Sequence, residues 1–479
     1  MYIGIDLGTS GVKALLMDEG QTVLASAQSS LDVSRPAPGW SEQDPADWIT
    51  ATSKALRGLA ARQDLSSVKG IGLSGQMHGA TLLDAQDKVL RPAILWNDTR
   101  SHAEAAGMDA DPQFRAITGN IVFPGFTAPK LVWTKRHEPS VFSQVSKILL
   151  PKDYLRLWLT GEHVSEMSDA SGTSWLDTKA RDWSDQLLAA SDLDRSHMPS
   201  LVEGSEISGT LRAEIASEFG MQAGIPVAGG AGDNAASAVG VGVARAGEAF
   251  VSLGTSGVLF AAMDGYAPAP ETALHTFCHA LPGSWHQMGV ILSAADSLSW
   301  WSTVADVKPA QLTSDLGDAQ PPGRVLFLPY LGGERTPHND AKVRSAFVGL
   351  EHATDREALT RAVLEGVAFA FRDSQQAMHA TGTALTRVIA VGGGSQSAYW
   401  LQTIATVLGT PISVPAAGDF GAAFGAARLG MVACGHGSVA SLVSPAISQT
   451  IDPDPSLQPA FDDAYARYGA VYKALKDLS

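Results

Sequence analysis

Two stretches of the chain carry the same alternation of apolar and polar positions. YIGIDLGTSGVKALLMD (Tyr2 to Asp18) and EAFVSLGTSGVLFAAMD (Glu248 to Asp264) each run from an apolar segment, through a Gly/Thr/Ser turn, into a second apolar segment. That pattern predicts a β-hairpin in both places. LGTSGV is identical at 7–12 and 253–258, and both copies close on a Met-Asp pair, Met17-Asp18 and Met263-Asp264. A match in both the turn and its flanks points to duplication of a whole lobe. A weaker pair supports it. VKGIGLSGQMHGATLL (Val68 to Leu83) and RVIAVGGGSQSAYWLQTIATVLG (Arg387 to Gly409) each lead from an apolar strand into a glycine-containing loop.

Elsewhere the period changes. DREALTRAVLEGVAFAFRDSQQAM has apolar residues at helical spacing, and strands alternating with helices predict α/β lobes with covered sheets. The run AGGAGDNAASAVGVGVARAG, ending at Gly247, is nearly all small residues. It suits a closely packed helix between lobes and places their junction near Ala231 to Gly247, dividing the chain into 1–240 and 241–479. In PAFDDAYARYGAVYKALKDLS, residues Phe461, Tyr465, Tyr468, Tyr472 and Leu475 share one helical face, which predicts a C-terminal docking helix.

Length agrees with this plan, since 479 residues exceed one ordinary core and predict two or three lobes. Hydrophobic residues at 45% and charged residues at 17% describe a globular chain. A net charge of −15 argues against a nucleic-acid or anionic-membrane partner. It leaves room for an anionic substrate, because backbone N–H groups and a metal can hold phosphates. Two cysteines, Cys278 and Cys434, are too few for a disulfide framework. With no basic leader and no long apolar run, a cytoplasmic location is expected.

The repeated turn is the first candidate for chemistry. Glycine permits close approach and positive φ, so Gly8, Thr9 and Ser10, and again Gly254, Thr255 and Ser256, can aim several N–H and hydroxyl donors at one anion. A single copy reads better as a tight structural turn; the duplication reverses that and favours a polyphosphate gripped from two sides. The copies differ in the preceding residue, Asp6 in one and Ser252 in the other. A carboxylate beside a phosphate turn repels the ligand unless a hard cation lies between them, and one Mg²⁺ needs only one such carboxylate. By contrast, His275 and His279 around Cys278 lack the spaced fourth ligand of a zinc site, and zinc is not expected.

DLGTSGVK at the N-terminus, LGTSG at mid-chain and VGGGSQSAYW late in the chain resemble the FGGY carbohydrate kinases; GFTAPKLVW (Gly125 to Trp133) and AFVGLEHATDREALTRAVLEG (Ala346 to Gly366) fit the same family. The resemblance runs from residue 2 to about residue 430. It implies two duplicated actin/Hsp70/hexokinase-like (ribonuclease H-like) α/β lobes with ATP in the cleft between them. It further implies that Lys13 accompanies the first turn at the triphosphate, and that Gly392 to Ser395, with Gly393 and Gly394 among them, and Ser397 line the adenosine end of ATP. Thr134, after Trp133, departs from the family's usual apolar residue. Related kinases are often dimers, so a homodimer is compatible with the resemblance.

A sugar kinase needs a carboxylate near the acceptor hydroxyl. Asp233, in GGAGDNAASAVG, lies among glycines at the start of the small-residue helix and between the two turns; it is expected to be the base, an ionised N-cap, and a neighbour of the metal with Asp6. Asn234 is expected to meet a sugar hydroxyl, Met77 and His78 of QMHG to line the ketose site, and Trp96 of ILWND to form a wall. For Trp40, Asp98 and the GGERTPH loop (Gly332 to His338) structural roles are equally open, and Glu334 and Arg335 could simply pair. Within the family, QMHG, ILWND and GWSEQDP imply D-xylulose as acceptor, converted to D-xylulose 5-phosphate. Ribulose, xylitol and glycerol are the alternatives. An actin- or Hsp70-like ATPase would share the clamp but not the sugar pocket.

Overall fold

The computed structural model describes residues 1–478 apart from positions 417, 419 and 443. The first predicted hairpin is β1 (Tyr2–Leu7) and β2 (Gly11–Met17), antiparallel with Asp6 opposite Lys13. To it are added β3 (Val23–Ser30), β4 (Gly70–Gly75), β5 (Ile207–Thr210), β6 (Pro226–Ala228) and β7 (Ala231–Gly232). They form a seven-stranded sheet in the order β5-β6-β4-β1-β2-β3, with β7 beside β4.

The second hairpin is β8 (Glu248–Leu253) and β9 (Gly257–Met263). With β10 (His275–Cys278), β11 (Trp285–Ile291), β12 (Arg387–Val391), β13 (Ile412–Pro415) and β14 (Ile447–Ile451) it builds a second seven-stranded sheet, β10-β11-β9-β8-β12-β13-β14. The sheets repeat one plan. The hairpin's first strand pairs in parallel with β4 in one and β12 in the other, the next strand is again parallel, and the edge strand beyond it is antiparallel. The loops after β4 and β12, QMHG and GGGSQ, are therefore topological equivalents.

Helices pack on and beside both sheets. Among them are α1 (Pro45–Ala60), α2 (Thr127–His137), α3 (Pro151–Thr160), α4 (Asp233–Val241), α5 (Ala295–Ala305), α6 (Arg356–Ala380), α7 (Ala398–Leu408), α8 (Ala422–Ala433) and α9 (Gln458–Leu475). Their ends follow from sequence. Asp44 and Asp355 cap α1 and α6 through Ala46 N–H and Ala358 N–H, and Pro45 opens α1. No helix among the described residues is long and apolar enough to cross a membrane.

The pleat sorts the first hairpin onto two faces. Ile3, Ile5 and Leu7 join Trp48, Leu56 and Leu59 of α1 in one core, each large side chain contributing about 1.5–3 kcal/mol on burial. Tyr2, Gly4 and Asp6 face the other way, and there the cover comes from the far end of the chain. Tyr2, Leu15 and Met17 pack on Ala423, Phe424, Ala427 and Met431 of α8. Gly4 is required, because a Cβ there would lie 1.8 Å from the Ala423 carbonyl oxygen. Conversely, Ala238 and Val241 of α4 pack on Phe250, Phe260 and Ile389 of the second sheet. Each half thus lends a helix to the other half's sheet, and the two helices cross where a Cβ on Gly425 would sit 1.8 Å from the Ala236 oxygen. The small-residue run exists for this crossing. The C-terminal helix docks as its periodicity predicts, with Phe461, Ala464 and Tyr468 buried.

Candidate active site

The strand register brings the carboxylates together. Asp6 of β1 lies opposite Ser74 of β4, and Ser74 lies opposite Ala231 of β7, two residues before Asp233. Ser74 Oγ donates to Asp6 Oδ1 at 2.9 Å. Asp233 is the first residue of α4, and Gly232 takes the cap position instead. Its Oδ1 accepts from the backbone N–H (2.7 Å) and from Nδ2 (3.0 Å) of Asn234. The sequence suggested an ionised N-cap. In the fold, burial first and the charge of Asp6 second push the Asp233 carboxyl up to about 6.

Each GTSG turn joins the two strands of its own sheet's hairpin, β1 to β2 and β8 to β9. Ala294 N–H and Asp296 N–H at the start of α5 donate to Thr255 O, and Ala295 N–H to Gly254 O. The N–H groups of Thr9, Ser10, Gly254, Thr255 and Ser256 meet no acceptor among the described residues. The Thr9 hydroxyl, expected to face a phosphate, donates to Gln76 Oε1 (2.9 Å) and accepts from Trp96 Nε1 (2.9 Å). Gln43 ties the same network, giving Nε2 to Thr9 O (2.8 Å) and accepting at Oε1 from Gln76 Nε2 (2.9 Å) and Trp48 Nε1 (3.0 Å). These amides fix the first turn to the loop carrying Met77 and His78. Lys13 stands across the hairpin from Asp6.

The QMHG loop lies against an aromatic wall. Met77 clusters with Ile121, Phe123, Phe126, Phe277 and Met288, and Gly172 and Gly232 are small to admit it: a Cβ at Gly232 would meet Met77 Sδ at 2.9 Å. His78 has φ +69°, stacks on Phe126 at 4.5 Å and approaches Gly172 O with Nδ1 at 2.7 Å. A carbonyl only accepts, so Nδ1 carries the proton and Nε2 a lone pair. Burial, then the charge of Lys130, pushes His78 down to about 3, keeping it neutral. Lys130 of α2, itself buried, donates to His78 O (2.8 Å) and Gly125 O (2.7 Å) and fixes the loop. The wall residues Phe123 and Phe126 were missed in the sequence; the only signal was GFTAPK itself. Trp96 is 48% exposed and tethered to Thr9, an aromatic face at the pocket rim.

Beyond Ser237 of α4, a cavity of about 770 Å³ opens, lined also by Gly392, Ser395, Gln396, Phe420 and Gln449. Gly392 and Ser395, expected at the adenosine end of ATP, line this cavity. Gly393 and Gly394 form a short 3₁₀ turn, in which Gly394 packs on Leu253 and Trp400, and Ser397 caps α7 through Trp400 N–H (3.3 Å).

Trp40 and Asp98 are structural. Asp98 grips Arg100 through Nε and Nη2 (2.6–3.0 Å), and the Arg100 guanidinium lies 3.7 Å from the Trp40 ring. Glu334 and Arg335 do not pair; Glu334 Oε1 accepts from the Leu292 and Arg335 N–H groups. Thr134 is buried and donates to Lys130 O (2.8 Å), so the departure from the family's usual residue is a local packing matter. His275 opens β10 and His279 follows its end.

Two family profiles match the chain: FGGY family of carbohydrate kinases, N-terminal domain, over residues 1–240, and C-terminal domain, over residues 249–434. It is 53% identical over 436 residues to the xylulose kinase of Escherichia coli (strain K12), covering 90% of each chain. Among solved structures it is similar to a xyloylose kinase from Brucella ovis (62% identity, TM-score 0.98, 100% of both chains). It is also similar to xylulose kinase from Rhodospirillum rubrum (30% identity, TM-score 0.93, 100% of this chain and 99% of that one).

Proposed function

The chain belongs to the FGGY family of carbohydrate kinases, and from that premise we propose that it transfers the γ-phosphoryl group of ATP to the terminal hydroxyl of D-xylulose, giving D-xylulose 5-phosphate. The acceptor is supported by the similarity to xylulose kinases. One observation carries the mechanism: Asp233, a buried carboxyl held by Asn234, stands at the end of the strands that also carry Asp6 and the His78 loop.

The Asp233 carboxylate accepts the proton of the terminal hydroxyl. That oxygen bonds to the γ-phosphorus as the bond from phosphorus to the β–γ bridging oxygen breaks, and ADP leaves. A base near 6 is largely ionised at neutral pH and still basic enough to take the proton. His78 accepts a sugar hydroxyl at Nε2, and Phe126 and Met77 supply the apolar wall. The unpaired N–H groups of the two turns receive the phosphate oxygens, so that positioning and charge neutralisation dominate over base strength.

Two carboxyls close enough for one to raise the other's pKa suit a hard cation. Among the described residues no three His, Cys, Asp or Glu side chains form a protein-only cage, which fits an ion completed by phosphate and water. Asp6, with Asp233 beside it, would hold Mg²⁺, which when bound neutralises charge on the triphosphate. The lobes of this reading are residues 1–240 and 241–479; each sheet is drawn wholly from one side of that cut, while α4 and α8 cross it.

The test is ADP release from Mg-ATP with D-xylulose, D-ribulose, L-ribulose, xylitol, glycerol or no acceptor, with Asp233→Ala alongside. Strong stimulation by D-xylulose that is lost in the variant is expected. Preference for another polyol changes the acceptor. Rapid ADP release without any acceptor effect returns the protein to the ATPase class.

A further inference from the structure

Arg335 sits in the loop Gly332 to His338, which is held firmly. Glu334 N–H donates to Asp340 O (2.8 Å), Thr336 N–H donates to Val290 O (3.1 Å), and Val290 N–H donates to Thr336 Oγ1 (3.0 Å). Glu334 Oε1 holds Arg335 N–H at 2.7 Å. From this fixed backbone in the second half of the chain, the side chain reaches a residue of the first half. Its guanidinium carbon lies 4.2 Å from the centroid of the Phe123 ring. Phe123 meets Phe126 edge-on at 5.5 Å, and Phe126 is the ring on which His78 stacks. Arg335 therefore extends the wall of the His78 pocket.

This guanidinium lacks a counter-ion. Among the described residues no carboxylate lies within ion-pair distance of it, and none of its N–H groups has a hydrogen-bond acceptor. Glu334, whose charge acts on the guanidinium, nevertheless turns its carboxyl to the Leu292 and Arg335 backbone N–H groups and gives the fork no contact. A partly buried donor-only fork without an acceptor calls for oxygen atoms from a ligand. From Gly232, beside Asp233, the wall runs through Met77 and Phe126 to Phe123, and the fork lies on Phe123, at the far side of that wall from the base.

We infer that Arg335 donates to the oxygens of the α-hydroxyketone end of the sugar, the C2 carbonyl and the C1 hydroxyl, and so makes the enzyme choose ketoses over the corresponding polyols. The assignment rests on the proposed ketose kinase activity. A carbonyl oxygen offers two lone pairs and no proton, matching a group that can only donate. In a polyol C2 is tetrahedral rather than planar, so its oxygen and that of C1 no longer share one plane with the guanidinium fork and the two-point contact is lost. Sites built to hydrogen-bond one oxygen discriminate strongly against analogues that fail to match it.

Arg335→Met keeps an apolar stem over Phe123 and removes the donors; Arg335→Lys keeps the charge without the fork. The readouts are KM and kcat for D-xylulose, KM for Mg-ATP, and xylitol as substrate or competitor, with thermal melts. In Arg335→Met the KM for D-xylulose should rise by roughly 10- to 100-fold, the range of a lost charge-assisted hydrogen bond. The kcat should stay within a few-fold, the ATP KM within about twofold, and the preference for D-xylulose over xylitol should fall by a similar factor to the KM change. Arg335→Lys should recover part of it, and carries the same ratio test should the Met variant fail to fold. A D-xylulose KM within about twofold of wild type, or equal losses for xylulose and xylitol, overturns the inference while leaving the kinase reading intact. A wild type that no ketose stimulates removes both.

Discussion

The negative charge of Asp6 reaches Asp233: with burial, it holds the Asp233 carboxyl near 6, although one residue lies on β1 and the other opens α4, far apart in the chain. A base must be deprotonated to act, so activity should fall on the acid side. A cation on Asp6 would cancel the second of the two causes, which places the acid limb of kcat/KM at or below pH 6. Measured against D-xylulose, the rate should drop about tenfold per pH unit below that limb. Asp233→Asn should lower kcat by roughly a thousandfold with a small change in sugar KM. A limb above pH 7, or a robust Asn variant, would remove Asp233 as the base.

His78 offers a contrast. Because burial and Lys130 keep it near 3, its ring stays neutral across the working range, and Nε2 remains an acceptor. The sugar KM should therefore be flat from pH 5.5 to 8 as far as this group is concerned. Replacing His78 by Leu should raise the KM for D-xylulose by roughly tenfold or more with the ATP KM unchanged. An equal rise in both would point to collapse of the loop.

Glu334 bears on stability. Its folded value of about 8 lies above the ordinary 4.5. Between those values the unfolded chain has released a proton that the native state retains, so native stability declines as pH rises through that window. Glu334→Gln has no such proton to lose. Its stability relative to wild type should improve from pH 5 to pH 8.5, by on the order of a few kcal/mol at most, read by urea unfolding. Parallel stability curves would mean that the carboxyl ionises freely.

Packing makes a sharper forecast at the helix crossing. A Cβ at Gly425 would lie 1.8 Å from the Ala236 oxygen and 2.9 Å from the Gly240 nitrogen, both backbone atoms that cannot rotate away. Gly425→Val should cost more than about 2 kcal/mol. Gly469→Ala, where a Cβ meets nothing within 4 Å in the middle of α9, should be neutral or stabilising by up to about 1 kcal/mol. Comparable melting temperatures for the two variants would contradict the crossing.

The hairpins, the QMHG loop and the start of α4 were legible in the sequence because turn chemistry and strand alternation are local. So was the buried face of α9, from the spacing of Phe461 and Tyr468. The partner of each small-residue helix was not legible: glycines at Gly4, Gly72 and Gly425 announce close approach without saying to what. The same limit hid the elevated value of Asp233, which depends on Asp6, and the wall of Phe123 and Phe126, which only the tertiary fold sets beside His78. The sequence left Trp40 and Asp98 open between site and structure, because nothing local shows that Arg100 occupies both.

The exchange of α4 and α8 makes the molecule a domain-swapped dimer written as one chain. Severed between Gly242 and Gly247, neither fragment would retain the helix that shields the inner surface of its own sheet, and each would expose it to aggregation. Mixed together, the fragments carry all that is needed to cover one another, so complementation between co-expressed halves should succeed where either alone fails. A chain of half the length could meet the same demand by pairing with its twin and trading the helix that corresponds to α4 and α8.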